Sequence, residues 1–77
     1  MPTILRRGSY RFYFYSHEPN EPPHIHVDRD QNACKVWLKQ VALCSSLGFK
    51  ARELREIERL VSMNRAILLK AWEEFHG

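Results

Sequence analysis

The sequence lacks any apolar run approaching the ~20 residues that cross a bilayer as a helix, which excludes an α-helical membrane protein and makes a soluble chain the expectation. Cysteine is scarce. Cys34 and Cys44 are the two in the chain and have no C-x-x-C spacing, so neither a thiolate zinc motif nor a disulfide framework is expected, and both read as small hydrophobes. Met1 to Arg7 carries charge with no apolar segment behind it and no small-residue cleavage site. No secretory leader is read there, and the cytoplasm is the expected compartment. Internal repeats and low-complexity tracts are missing as well.

What is present is a short chain of globular composition. Its 77 residues are 44% hydrophobic and 12% aromatic, which reads as one domain over 1–77. A chain this short buries a small share of its surface, so a thin core and a partner or second copy (a homodimer) are expected. A net charge of +3 and a pI near 9.1 favour an acidic partner or nucleic acid.

Thr3 to Arg7 and Tyr10 to Tyr15 are rich in β-branched and aromatic residues and are separated by Gly8-Ser9, a two-residue turn with glycine first, as a type II′ hairpin prefers. That turn pairs Arg7 with Tyr10, Arg6 with Arg11, Leu5 with Phe12, Ile4 with Tyr13 and Thr3 with Phe14. One face then carries Thr3, Leu5, Phe12 and Phe14 as core. The other carries Ile4, Arg6, Arg11, Tyr13 and Tyr15, and the two opposed arginines imply either a shared anion or acidic neighbour, or side chains splaying into solvent. Pro23 to Asp28 and Ala33 to Leu38 read as third and fourth strands around a turn at Arg29 to Asn32. Ile25, Val27, Cys34, Val36 and Leu38 fall on the core face, and His24, His26, Asp28, Lys35 and Trp37 on the other. Val41 to Cys44 is a short fifth strand before a turn at Gly48.

From Lys50 to His76 the period becomes helical. Leu54, Ile57, Val61, Asn64, Leu68, Trp72 and Phe75 recur every three or four residues, with Leu60, Ile67 and Ala71 widening the stripe. The stripe keeps phase through Asn64, so one helix is preferred over two joined near Ser62 to Arg65. Arg52, Arg55 and Arg59 form a basic row whose partners would be the interleaved Glu53, Glu56 and Glu58. The fold class is α+β: a small antiparallel sheet of four or five strands, covered on one face by a C-terminal helix or two shorter ones.

Glu18 to Val27, read E-P-N-E-P-P-H-I-H-V, gathers three of the four prolines and two of the four histidines. Proline fixes its own φ and restricts the residue before it, so Asn20 to Pro23 is a stiff lead-in that delivers His24 to a defined place. This is the candidate functional loop.

M-P-T-I-L-R, Y-R-F-Y-F-Y-S, E-P-P-H-I-H-V, W-L at the end of the fourth strand, G-F before the helix, R-E-L-R-E-I and A-W-E-E-F together resemble the bacterial family called domain of unknown function 4160, over essentially the whole chain. Lys50 departs from the serine frequent there in the family, a better N-cap. The resemblance implies a small partner protein encoded nearby, of the family called domain of unknown function 2442, in an arrangement like a toxin and its antitoxin.

For the histidine pair several chemistries compete. A metal would need His24, His26 and a carboxylate such as Glu21 or Asp28, but H-x-H fixes no third ligand, so no metal and no cofactor is expected. A cupin-type site would want a glutamate a few residues on and a distant histidine, and Asp30 and His76 are poor substitutes. A histidine-triad hydrolase would want a third alternating histidine where Asp28 stands. Acid–base chemistry on RNA needs groups titrating near neutrality beside cations, which His24 and His26 (catalytic candidates) and Arg6, Arg11 and Lys35 supply, with Tyr13 and Trp37 as binding residues. The plain alternative is a pair of polar-face histidines hydrogen-bonded to loop carboxylates. The expected function is a toxin-like protein acting on RNA, with metal-independent cleavage as the candidate reaction; the alternative is a non-catalytic module whose sheet face docks a partner protein.

Overall fold

A computed structural model describes residues 3–15 and 21–76. Five strands, β1 (Thr3–Arg7), β2 (Tyr10–Tyr13), β3 (His24–Arg29), β4 (Asn32–Trp37) and β5 (Ala42–Leu47), form an antiparallel sheet in sequence order, followed by α1 (Ala51–Met63) and α2 (Arg65–His76). The first turn has Gly8 at φ 60° and no positive φ at Ser9, the glycine-first geometry its sequence favours. Arg7, Arg6 and Leu5 pair with Tyr10, Arg11 and Phe12 as that turn dictates. A bulge between Thr3 and Leu5 then sets Thr3 opposite Tyr13, so Ile4 leaves its expected place and packs against the core.

Alternation sends Tyr10, Phe12, Phe14, Ile25, Val27, Cys34, Val36 and Leu38 to the covered face, where Ile57, Val61, Leu68 and Trp72 close over them. Thr3, expected in that core, is exposed, and Leu5 is only partly buried. Cys34 is buried as expected but Cys44 is exposed, and neither is in a disulfide. The fifth strand is longer and later than its sequence signal: Val41 lies in the turn, and pairing runs from Ala42 to Leu47. After it, Gly48 at φ 93° approaches Asn32 so closely that a Cβ would fall 2.2 Å from its Oδ1.

There are two helices, not the preferred single one. The joint is Asn64, whose side-chain Nδ2 donates to the Leu60 carbonyl at 2.8 Å and whose backbone φ and ψ of −111° and 15° depart from helix. Just beyond it, Arg65 donates to the carbonyls of Leu38 (2.7 Å) and Lys39 (2.9 Å), tying the start of α2 to the β4–β5 turn. Beyond this joint Ile67 and Phe75 are about half exposed instead of fully buried, Phe75 keeping an edge-on contact with Phe14 at 5.2 Å. At the other end Lys50 cannot accept a cap hydrogen bond, and Glu53 compensates by accepting from the Lys50 backbone at 2.8 Å. Glu53 also forms an ion pair with Arg29 of β3, so it does not serve the basic row of its own helix.

Candidate functional site on the open sheet face

Strand register arranges the open face in cross-strand rows. The first runs Arg6, Arg11, Asp28, Ala33; the second Tyr13, His26, Lys35, Ser45; the third His24, Trp37, Ala42. Each row follows from period-two alternation once the turns are set.

In the first row the opposed arginines have an acid beside them, since Asp28 lies directly across from Arg11. Asp28 also accepts a hydrogen bond from the Tyr13 hydroxyl at 3.0 Å. Burial first, and then that hydrogen bond, push the Tyr13 phenol well above its ordinary value, so it remains a donor. Arg11 donates to Thr3 Oγ1 at 2.8 Å and lies 4.6 Å over the Tyr13 ring. Arg6 is exposed at the rim.

The second row is built of rings. His26 stacks on Tyr13 (centroids 5.4 Å apart) and meets Tyr15 edge-on at 4.8 Å, while Lys35 lies 4.9 Å over Trp37 and is ion-paired with Glu21. His26 and Lys35, with Ser45 and Leu47, border a depression of about 240 Å³. His26 is half-buried and reaches its edge.

His24 does not stand beside it in the same way. Expected on the open face, it is 0% exposed, because its ring turns into the end of the sheet and packs between Trp37 (5.8 Å) and Trp72 of α2 (4.7 Å), with an edge-to-face contact to His26 at 5.1 Å. Its Nδ1 is 3.0 Å from the Pro22 carbonyl, so the described part of the stiff lead-in orients this imidazole directly. Glu18 to Asn20 lie outside the described residues.

The structure thus brings Arg11, Tyr13, His26, Lys35 and Trp37 together on one face, with Arg6 at its edge and His24 beneath. Two contributors carry weaker sequence signals. Tyr15 follows from the same alternation as Tyr13. His76 has no local signal: its ring stacks on Trp72 at 3.9 Å, and its Nε2 lies 3.0 Å from the Tyr15 carbonyl, a contact between chain positions 61 residues apart. Among the described residues no group of three or more His, Cys, Asp and Glu side chains is placed to hold a metal ion, and no helix is long and apolar enough to cross a membrane.

These features define a small α+β protein whose five-stranded meander is backed by a helix pair on one face and left to rings and cations on the other. The chain belongs to the family called Domain of unknown function (DUF4160), whose sequence model matches residues 9–73 and so includes all of the face except β1 and its Arg6. Comparison with curated proteins and with solved structures gave no match.

Proposed function

We propose that this protein is the toxin-like, RNA-directed member of a cytoplasmic two-gene module, and that its open sheet face holds single-stranded RNA. The observation that carries the reading is the pair of accessible rings Tyr15 and His26, backed by the buried Tyr13 and flanked by Arg11 and Lys35, each cation lying over an aromatic neighbour. Bases stack on such rings regardless of sequence, while cations beside them take phosphates. The arrangement supports binding better than cleavage. Two-imidazole acid–base catalysis needs both rings at the phosphoester, and His24 has no accessible surface. In this reading His26 touches RNA, and His24 positions it from below.

A protein partner on the same face is the second reading. It is favoured by the ion pair of Lys35 with Glu21 and the bond from Tyr13 to Asp28, which offset part of the positive charge, and by Leu47, 73% exposed beside the row.

Salt separates the two. For an RNA hexamer held by about three cations, the logarithm of affinity should fall against the logarithm of salt with a slope near −2, at about 0.7 per phosphate on a single strand. Arg11→Ala should reduce that slope. A salt-independent hexamer affinity unaffected by Arg11→Ala and Trp37→Ala would sink the RNA reading, and binding of the neighbouring small protein to the same face would replace it.

A further inference from the structure

The end of the sheet where His24 is buried is also where the open face turns toward α2. A groove of about 390 Å³ runs from Trp37 over Pro22 and Pro23 to Lys39. A second, of about 440 Å³, shares Pro23 and Lys39 and continues between the β4–β5 turn and α2, walled by Leu69, Trp72 and His76 with Arg65 and Glu73 on it. The two adjoin at Pro23 and Lys39, which line both. Their walls are held by backbone-directed bonds: Leu38 N–H to the Pro23 carbonyl at 3.0 Å, and Arg65 to the carbonyls of Leu38 and Lys39. Such a groove is preorganised in part, because the Arg65 guanidinium and the proline wall are set before any ligand arrives.

Its chemistry favours an anion joined to a flat apolar group. Arg65 uses Nε and Nη2 on the turn carbonyls, which leaves Nη1 without a protein acceptor among the described residues. The Arg65–Lys39 carbonyl bond keeps this guanidinium beside the residue that carries the second cation. Glu73 is the one acid among the described residues that line the groove. His76 directs both ring nitrogens at carbonyls, of Trp72 and of Tyr15, so it offers the groove a ring and no donor. Pro23, Leu69 and the edge of Trp72 supply apolar wall, in a volume within the range of small-molecule sites.

We propose that this groove binds a nucleotide, its phosphate between Lys39 and Arg65 and its base against Leu69 and Trp72. The source is either a free nucleotide or the next nucleotide of a strand lying on the open face; the latter rests on the RNA reading above. The proline pair then serves as the wall over which the strand passes.

The chain has two tryptophans, so two indole N–H signals report the two adjoining grooves in an NMR titration, assigned with Trp37→Phe. Adenosine monophosphate is expected to move the Trp72 signal, and an RNA hexamer both. Lys39→Glu, at an exposed position, should weaken both ligands about tenfold or more by removing one charge-assisted contact, and Glu73→Gln should tighten both. Arg11→Ala should weaken the hexamer and spare the monophosphate. A hexamer that binds with a still Trp72 signal and no response to Lys39→Glu overturns the groove and leaves the RNA reading standing. A monophosphate that binds sensitively to Lys39→Glu while the hexamer does not bind upholds the groove as a free-nucleotide site and overturns the RNA reading. No movement with either ligand overturns both.

Discussion

Phe12, Ile25 and Val36 on the covered face lose all their accessible surface, whereas Arg11, His26 and Lys35, their immediate chain neighbours on the same strands, keep part of theirs. The covered face is held by area: closing α1 and α2 over aliphatic and aromatic side chains returns about 25 cal/mol per Å² removed from water. The open face is held by directed contacts, ring on ring and cation on ring, which a ligand can reproduce. A sheet with one face of each kind separates stability from recognition, and substitutions should report on them independently.

The largest expected effect is therefore on the covered side. Phe12→Ala empties a fully buried site beneath the helices and should cost about 3–5 kcal/mol in urea unfolding, enough to unfold much of a small domain. Arg11→Ala, one residue away, should cost less than about 1 kcal/mol. Comparable losses from the two would mean that the faces are not distinct.

The histidine pair sharpens the contrast. His24→Ala removes a buried ring packed between Trp37 and Trp72 and should cost about 2–4 kcal/mol, by analogy with other buried large-to-small changes. His26→Ala should cost about 1 kcal/mol or less yet weaken RNA binding, because its ring reaches the surface. Thermal unfolding and hexamer binding on both variants check this. Equal stability losses with unchanged binding in both would place His26 in the core as well.

Much of this fold is legible in the residues. Period-two alternation sorts Phe12, Val27 and Val36 from Arg11, His26 and Lys35, and the Gly8-Ser9 turn sets the register through Leu5 and Phe12, because turn geometry and alternation are local. What alternation misses depends on contacts outside the strand pattern, some of them far apart in the chain. The bulge at Ile4 follows from core packing, and the helix break at Asn64 from a back-bond to Leu60 together with the anchorage of Arg65 on Leu38 and Lys39. Alternation places His24 on the open face because it reads direction from chain position alone. At the end of a twisted sheet the ring reaches Trp72, a residue of the other layer. The site residues on β2 to β4 were legible as a face; which of them remain accessible was not.

The smallest expected effect is a pH response from the covered face. Burial, aided by the negative charges of Asp28 and Glu58, pushes the Cys34 thiol from its ordinary 9.0 up to about 12. The folded state thus keeps the proton that the unfolded chain releases above its ordinary value. Stability from this group is fully present below pH 9.0 and is lost progressively as pH rises toward about 12. Tyr13, raised in the same direction on the open face, begins to contribute only above its ordinary 10.0, so the first part of the alkaline limb belongs to Cys34. Cys34→Val keeps the volume close and removes the titrating group. Urea midpoints taken between pH 8 and pH 10 should therefore fall less steeply in this variant than in the parent, with Tyr13→Phe altering only the upper end. Identical slopes in parent and Cys34→Val would show that the thiol does not sense the burial that the covered face imposes on it.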